Sequence, residues 1–412
     1  MSRLDTVSKD TVLQNDYEYD LNSNRTSIDG GTTINATYDA QDRLETFTDA
    51  SSTNWTFKYT DNGELERKYE TGNQAATEVI YNYDVLGNLR GVDFQGTAND
   101  IEYIIDGRNR RVGKKVGGAL VQQWLYKDQL NPIAELDGNG NITKRFIYAS
   151  RANIPDIVVD VSGTSPVVYR IVSDHLGSPR FIINTADGTK ALKFEYDEWG
   201  NETYQVFVPG IDRNLIPFGF AGGLYDEDTG LVRFGARDYD PEIGRWTSKD
   251  PLRFFGDGLN LYGYVLNSPI NFADYFGLRI TIIGDPSFKI TIRKIIERIR
   301  STKVGKDLVE CLEASSINFK IKDVSGSGLG NEFDFPSNTI RIDPRLRPFY
   351  RTKDGGIARM SLERIVAHEM GHASGYGSRL EEEERIVRDI ENPITKEFGE
   401  RERGGYELVP KF

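Results

Sequence analysis

The chain has 412 residues, 38% of them apolar and 28% charged, with a formal net charge of -12. This length predicts two to three domains with sizeable cores. No apolar run reaches the roughly 18 residues of a membrane span, and no basic stripe suits nucleic acid. The polar N-terminus lacks the apolar stretch of a signal peptide, so synthesis in the cytoplasm is expected. Cys311 is the single cysteine, which excludes an intrachain disulfide, and it reads as a small buried hydrophobe. The charge is uneven: residues 279–412 hold 24 Lys+Arg and 22 Asp+Glu, or +2, leaving 27 and 41, or -14, for the first 278. A domain boundary is placed at that change.

Residues 1 to about 165 are repetitive. Tyr-Asp occurs at Tyr19-Asp20, Tyr38-Asp39 and Tyr83-Asp84, with decayed copies at Tyr59-Thr60, Ile105-Asp106 and Tyr126-Lys127, spaced by 19, 21, 24, 22 and 21 residues. An alternating strand precedes each pair and a Gly/Asn turn follows it, as around Asp61-Asn62-Gly63. This is a β-hairpin signal. A period near 21 predicts stacked hairpins, none able to bury its own apolar face alone. The stretch resembles the YD-repeat (Rhs-repeat) proteins, whose β-sheets spiral into a hollow shell. At this length the resemblance implies part of a larger toxin or a short relic, and a partly open sheet would leave exposed edges.

Residues 166–278 are rich in glycine, aromatics and turns. Asp174-His175-Leu176-Gly177-Ser178-Pro179-Arg180, Tyr196-Asp197-Glu198-Trp199-Gly200, Arg237-Asp238-Tyr239-Asp240-Pro241, Gly244-Arg245-Trp246 and Asp274-Tyr275-Phe276-Gly277-Leu278 occur in this order. They resemble the Rhs-associated core domain. That resemblance implies that the core cuts the chain itself after Leu278. Two aspartates act as in an aspartic protease, where close carboxylates share a proton. Asp250 and Asp274 match them, and Arg245 matches a nearby arginine. Tyr275 departs from the proline usual there. His175 reads as a structural turn residue.

Residues 279–412 read as α+β. Strands are expected at 279–283, 317–321 and 339–342, with a Gly/Ser-rich stretch at 325–331. Helices are expected at 290–300, 306–314, from about Ser361, and at 380–390, the last interrupted or ended by Pro393.

His368-Glu369-Met370-Gly371-His372 reads HExxH and holds two of the chain's three histidines. Residues four apart on a helix share a face, so both imidazoles can bind one Zn2+ while Glu369 acts as general base. Gly375 and Gly377 offer a stop. Ser378 stands where the metzincin pattern needs a third ligand. A third protein ligand is still required, and a carboxylate of the following helix must supply it. Glu383 falls within the apolar stripe of Leu380, Ile386, Val387 and Ile390. Glu384 borders the stripe, Glu381 and Glu382 are less central, and Asp389 or Glu391 remain further choices.

Glu383-Glu384-Arg385-Ile386-Val387, Glu391-Asn392-Pro393-Ile394, Arg403 and Tyr406, with Ile283-Gly284-Asp285 upstream, resemble the NleD-like effector zinc metallopeptidases. The resemblance implies hydrolysis of peptide bonds in target-cell proteins and points to the same Glu383-Glu384 pair. Tyr406 or Arg403 is a candidate oxyanion donor.

The expected whole is a mainly β repeat scaffold (1–165), a self-cleaving core (166–278) and an α+β zincin-like metallopeptidase domain (279–412). The implied function is a polymorphic toxin, a zinc metalloendopeptidase delivered or secreted to a target cell. Its implied partners are a protein substrate, an immunity protein and secretion or toxin-delivery machinery. The alternative is a repeat scaffold or adhesion protein whose C-terminal domain binds zinc or a partner without turnover.

Overall fold

A computed structural model describes residues 3–9, 12–29, 34–151, 153–250, 260–275, 281–313, 320–327, 329–334, 339–374 and 380–409. These residues fall into two compact units, one up to residue 275 and the other from residue 281.

The first unit is built on one sheet. Nineteen described strands, from β1 (Thr6–Lys9) to β19 (Glu202–Val206), form an up-and-down meander in which each strand pairs antiparallel with the next. Between the seventh and eighth strands lies the short helix α1 (Gln74–Thr77).

The turns explain why Tyr-Asp recurs. The aspartate Oδ1 accepts the N–H groups two and four residues on, at 2.9 and 2.8 Å for Asp20, 2.8 and 3.0 Å for Asp39, and 2.9 and 3.0 Å for Asp84. The third residue after the aspartate is left-handed, with φ of 64° at Ser23, 61° at Asp42 and 81° at Gly87. Small or polar residues are therefore favoured there. In the decayed copies Thr60 accepts from Gly63 and Glu64, both at 3.2 Å, and Asp128 accepts from Leu130 and Asn131 at 3.0 and 2.8 Å.

The tyrosine reaches back to the preceding hairpin. The hydroxyls of Tyr19, Tyr38 and Tyr126 donate to the carbonyls of Leu4, Arg25 and Arg111 at 2.7, 2.7 and 2.8 Å. At Tyr19-Asp20 and Tyr38-Asp39 the aspartate thus closes its own turn while the tyrosine ties the unit to the one before.

The meander runs past residue 165. Asp174 and Asp197 make the same turn, each accepting two N–H groups at 2.9 to 3.0 Å, followed by Gly177 at φ 94° and Gly200 at φ 96°. His175, in the first of these turns, bonds through Nε2 to the Ile270 carbonyl at 2.8 Å.

After the meander comes a small antiparallel sheet of β20 (Leu224–Tyr225), β21 (Val232–Phe234), β22 (Arg237–Asp240) and β23 (Arg245–Trp246). It carries an aromatic core in which Tyr239 and Tyr264 have ring centroids 4.4 Å apart, with Phe220, Phe234 and Trp246 around them. Each such ring contributes roughly 1.5–3 kcal/mol by burial. The small sheet is joined to the meander by Tyr103, whose hydroxyl donates to Asp226 at 2.7 Å, and by Arg111, which pairs with Asp238 at 2.8 Å.

The second unit mixes helices with two small sheets. Strands β24 (Thr281–Ile283), β25 (Lys320–Asp323) and β27 (Thr339–Ile342) are parallel, and β26 (Glu332–Asp334) lies antiparallel at the edge beside β27. Helix α2 (Pro286–Arg300) starts earlier than its apolar spacing implied, because Asp285 accepts the N–H groups of Ser287 and Phe288 at 2.7 and 3.0 Å. Helix α3 (Lys303–Glu313) follows. The second sheet holds β28 (Phe349–Thr352), β29 (Ile357–Arg359) and β30 (Arg403–Val409). The side chain of Cys311 lies outside the described residues, as do Gly375 and Gly377.

Helix α4 (Leu362–Ala373) carries the HExxH motif. Ser361 caps it by accepting from Arg364 N–H at 3.0 Å, and Leu362, Ile365, Val366 and Met370 join the core. Gly371 is required by packing: a Cβ there would stand 2.9 Å from Ile386 Cγ2. The 380–390 helix differs from expectation. Helix α5 (Leu380–Ile386) opens into a π turn (Val387–Glu391) and continues as α6 (Asn392–Glu397). Pro393 sits in the first turn of α6, where a proline lacks no needed N–H, so it starts a helix rather than ending one.

Candidate functional site

Helix α4 places His368 and His372 on one buried face, with ring centroids 5.1 Å apart and planes at 82°. Glu383, from α5, faces both. Its Oε2 lies 3.2 Å from His368 Nε2 and 3.3 Å from His372 Nε2. One ligand atom of each of the three falls within 4.8 Å of the others. Ligands at about 2 Å from a tetrahedral ion stand roughly 3.3 Å apart. Glu383 Oε2 is buried and makes no hydrogen bond. A buried carboxylate oxygen with no hydrogen bond, facing two imidazole nitrogens, suits a divalent cation such as Zn2+, so these residues could hold one. Glu384 points to solvent, and the side chains of Glu381 and Glu382 lie outside the described residues.

Behind His368 is a buried charge network. His368 Nδ1 lies 3.0 Å from Glu391 Oε2, and Glu391 is itself held by Arg364 at 2.7 Å and Arg403 at 3.1 Å. Glu391 and Arg364 are wholly buried. Burial would raise the Glu391 pKa, but the hydrogen bond and charge of His368, with Arg403 and Arg364, hold it below the usual range. Burial likewise opposes the charged form of His368, yet Glu383 and Glu391 outweigh it and lift this imidazole to about 9. Glu369 is buried beside His368, and burial raises its pKa to about 7, with Glu383 adding to the shift against His368 and a backbone hydrogen bond from Phe333 of β26.

Arg403 was an expected oxyanion donor, but its guanidinium is buried against Glu391 and its N–H donates to Asn392 Oδ1 at 2.7 Å. The Tyr406 side chain lies outside the described residues. Sequence spacing does not reveal Arg364 or the role of Glu391. One available signal was that Arg364 stands four residues before His368, on the same helix face.

In the first unit Asp250 and Asp274 come together around Arg237. Its Nη2 lies 3.2 Å from Asp250 Oδ2 and 3.1 Å from Asp274 Oδ2, all buried, and the guanidinium stacks on Trp246 at 4.0 Å. Arg245, the arginine expected there, lies elsewhere: it donates to Asn24 Oδ1 at 2.8 Å and the Asp42 carbonyl at 2.6 Å, over the Tyr38 ring. Arg237 opens β22, one of the quoted core segments, so its motif was visible although its partner was not. Tyr275 donates to the Leu176 carbonyl at 3.3 Å. Leu278 and Arg279, which flank the expected cut, lie outside the described residues.

Among the described residues, no helix is long and apolar enough to cross a membrane. Residues 1–270 match the family model described as Teneurin YD-shell. Teneurin-1 of Mus musculus is 28% identical over 283 residues, covering 65% of this chain and 9% of that protein. The tRNA nuclease WapA of Bacillus subtilis (strain 168) is 28% identical over 295 residues, covering 69% and 12%. Among solved structures, the crystal structure of TcdB2-TccC3-Cdc42 has 20% identity and a TM-score of 0.40, covering 65% of this chain and 17% of that one. The chain therefore spans only 9% and 12% of the length of these two curated relatives. The family match takes in the whole Tyr-Asp meander, the small sheet and the aromatic core, and on that ground the chain belongs to the Teneurin YD-shell family.

Proposed function

We propose that the chain is part of a polymorphic toxin whose second unit is a zinc-dependent endopeptidase acting on proteins of a target cell. The observation that carries this reading is the convergence of His368, His372 and Glu383 beside the buried Glu369. When bound, zinc supplies a Lewis acid that polarises a scissile carbonyl and acidifies water. His368, His372 and Glu383 would hold the ion. The Glu369 carboxylate takes a proton from the attacking water and returns it to the leaving amine. Tyr406 is the candidate donor to the oxyanion. Asp250 and Asp274 would cut the chain after Leu278 and free the second unit. A toxin reading also accords with the name of WapA, a tRNA nuclease to which this chain is 28% identical over 295 residues. An immunity protein and delivery machinery are the partners this reading entails.

The likeness to teneurin-1 favours a second reading, a repeat scaffold or adhesion protein whose second unit binds zinc or a partner without turnover. Zinc content and cleavage of a mixed lysate separate the two. The protease reading expects one zinc per chain and new peptide termini mapped by mass spectrometry. One zinc per chain with no new termini in any lysate favours the scaffold.

A further inference from the structure

We infer that Glu391 is the positioning residue of the metal centre, fixing His368 so that Nε2 faces the ion, and that the π turn exists to put it there. This rests on the zinc reading above. Glu391 touches His368 on the side away from Glu383: Oε2 stands 3.0 Å from Nδ1, while Glu383 Oε2 stands 3.2 Å from Nε2. A carboxylate paired with two guanidinium groups accepts hydrogen bonds and does not donate them. His368 Nδ1 therefore keeps a proton in either charge state, and Nε2 is the nitrogen that gives up its proton to take a cation.

The backbone accounts for the placement. In an unbroken α-helix, residues eight apart point about 80° away from each other. Glu383 and Glu391 are eight apart, yet they meet the same imidazole. The π turn (Val387–Glu391) takes up an extra residue and removes that offset. Glu391 is then locked from three sides, by Arg364 of α4, by Arg403 of β30, and through its own carbonyl, which accepts from Thr395 Oγ1 at 2.8 Å. Arg364 also donates to the Arg401 carbonyl at 2.9 Å and Asn392 donates to the Arg403 carbonyl at 2.9 Å. The start of β30 is thus built into the support of the metal helix.

The test uses the full chain, titrated with zinc alone against a chromophoric chelator and labelled with 15N-histidine. With three histidines in the sequence, substitution of His368 assigns its signals. The wild type should show a slowly exchanging proton on His368 Nδ1. Glu391→Gln should weaken zinc binding about 10–100-fold, the usual scale for such a partner, and speed exchange of that proton. Glu391→Asp keeps the charge that Arg364 and Arg403 require but draws the carboxylate back, so it should fold and show the same two losses. The inference is overturned if either variant keeps a wild-type melting profile together with wild-type zinc affinity and an unchanged Nδ1 proton. Zinc binding by the wild type and both variants alike would sink the positioning role and leave the zinc reading standing. A wild-type chain that takes up no zinc would sink both.

Discussion

Glu383 Oε2 and His368 Nε2 face each other at 3.2 Å, and the Glu383 oxygen makes no hydrogen bond. Under the proposed zinc reading these two groups would share the cation. Glu383→Ala is therefore expected to lose zinc affinity by more than about 100-fold, beyond the usual effect of an outer-shell change, and to lose activity with it. Glu384→Ala, at an exposed neighbour, should change neither. Metal content after dialysis, measured on both variants, decides the matter. Retained zinc in Glu383→Ala would remove it from the ligand set.

Glu369 follows His368 but stands outside the proposed ligand set. Glu369→Gln should keep zinc bound and lower turnover at least about a hundredfold, the scale of general-base loss. Full activity in that variant would show that hydrolysis does not run through this carboxylate.

His368 is held protonated up to about pH 9 by its two carboxylates in the metal-free chain. Binding zinc to Nε2 must release that proton. Apparent zinc affinity should then fall about tenfold for each pH unit below 9. Chelator competition at several pH values measures the slope. A flat profile between pH 6 and 8 would contradict it.

Two aspartates share Arg237, and self-cleavage is expected from them. The purified chain should give two bands on a denaturing gel, of 278 and 134 residues, without added protease, and Asp274→Asn should give one. An uncut wild-type chain would argue that this core does not cleave.

The repeat turns carry stability. Asp84→Ala removes acceptors for the N–H groups of Leu86 and Asn88 and should cost about 1–2 kcal/mol. Val85→Ala, at a side chain 98% exposed, should stay within about 0.5 kcal/mol. Urea unfolding of the two variants compares them directly.

What could be read in the sequence follows from the range of each interaction. Asp84 bonds to N–H groups two and four residues on, so the Tyr-Asp period exposes the hairpins directly. His368 and His372 share a helix face for the same local reason. Arg237, by contrast, meets Asp274 across 37 residues, and no spacing rule selects it over Arg245. Glu391 was obscured by a different cause. Its direction depends on a π turn, and a helical period of 3.6 residues misplaces everything beyond such a turn. Pro393 departs from the expected helix end because the same turn makes it the beginning of a new helix.

The hairpins at Tyr19-Asp20 and Tyr38-Asp39 close their own turns through the aspartate and fasten backward to the preceding unit through the tyrosine. A scaffold assembled this way is counted in whole hairpins. Removing or duplicating one unit keeps the bonds inside every other turn, but it displaces the turn residues that distant arginines hold, such as Asn24 and Asp42 under Arg245. Length can then change in steps of about twenty residues only where the added or lost turn is not one of those so held.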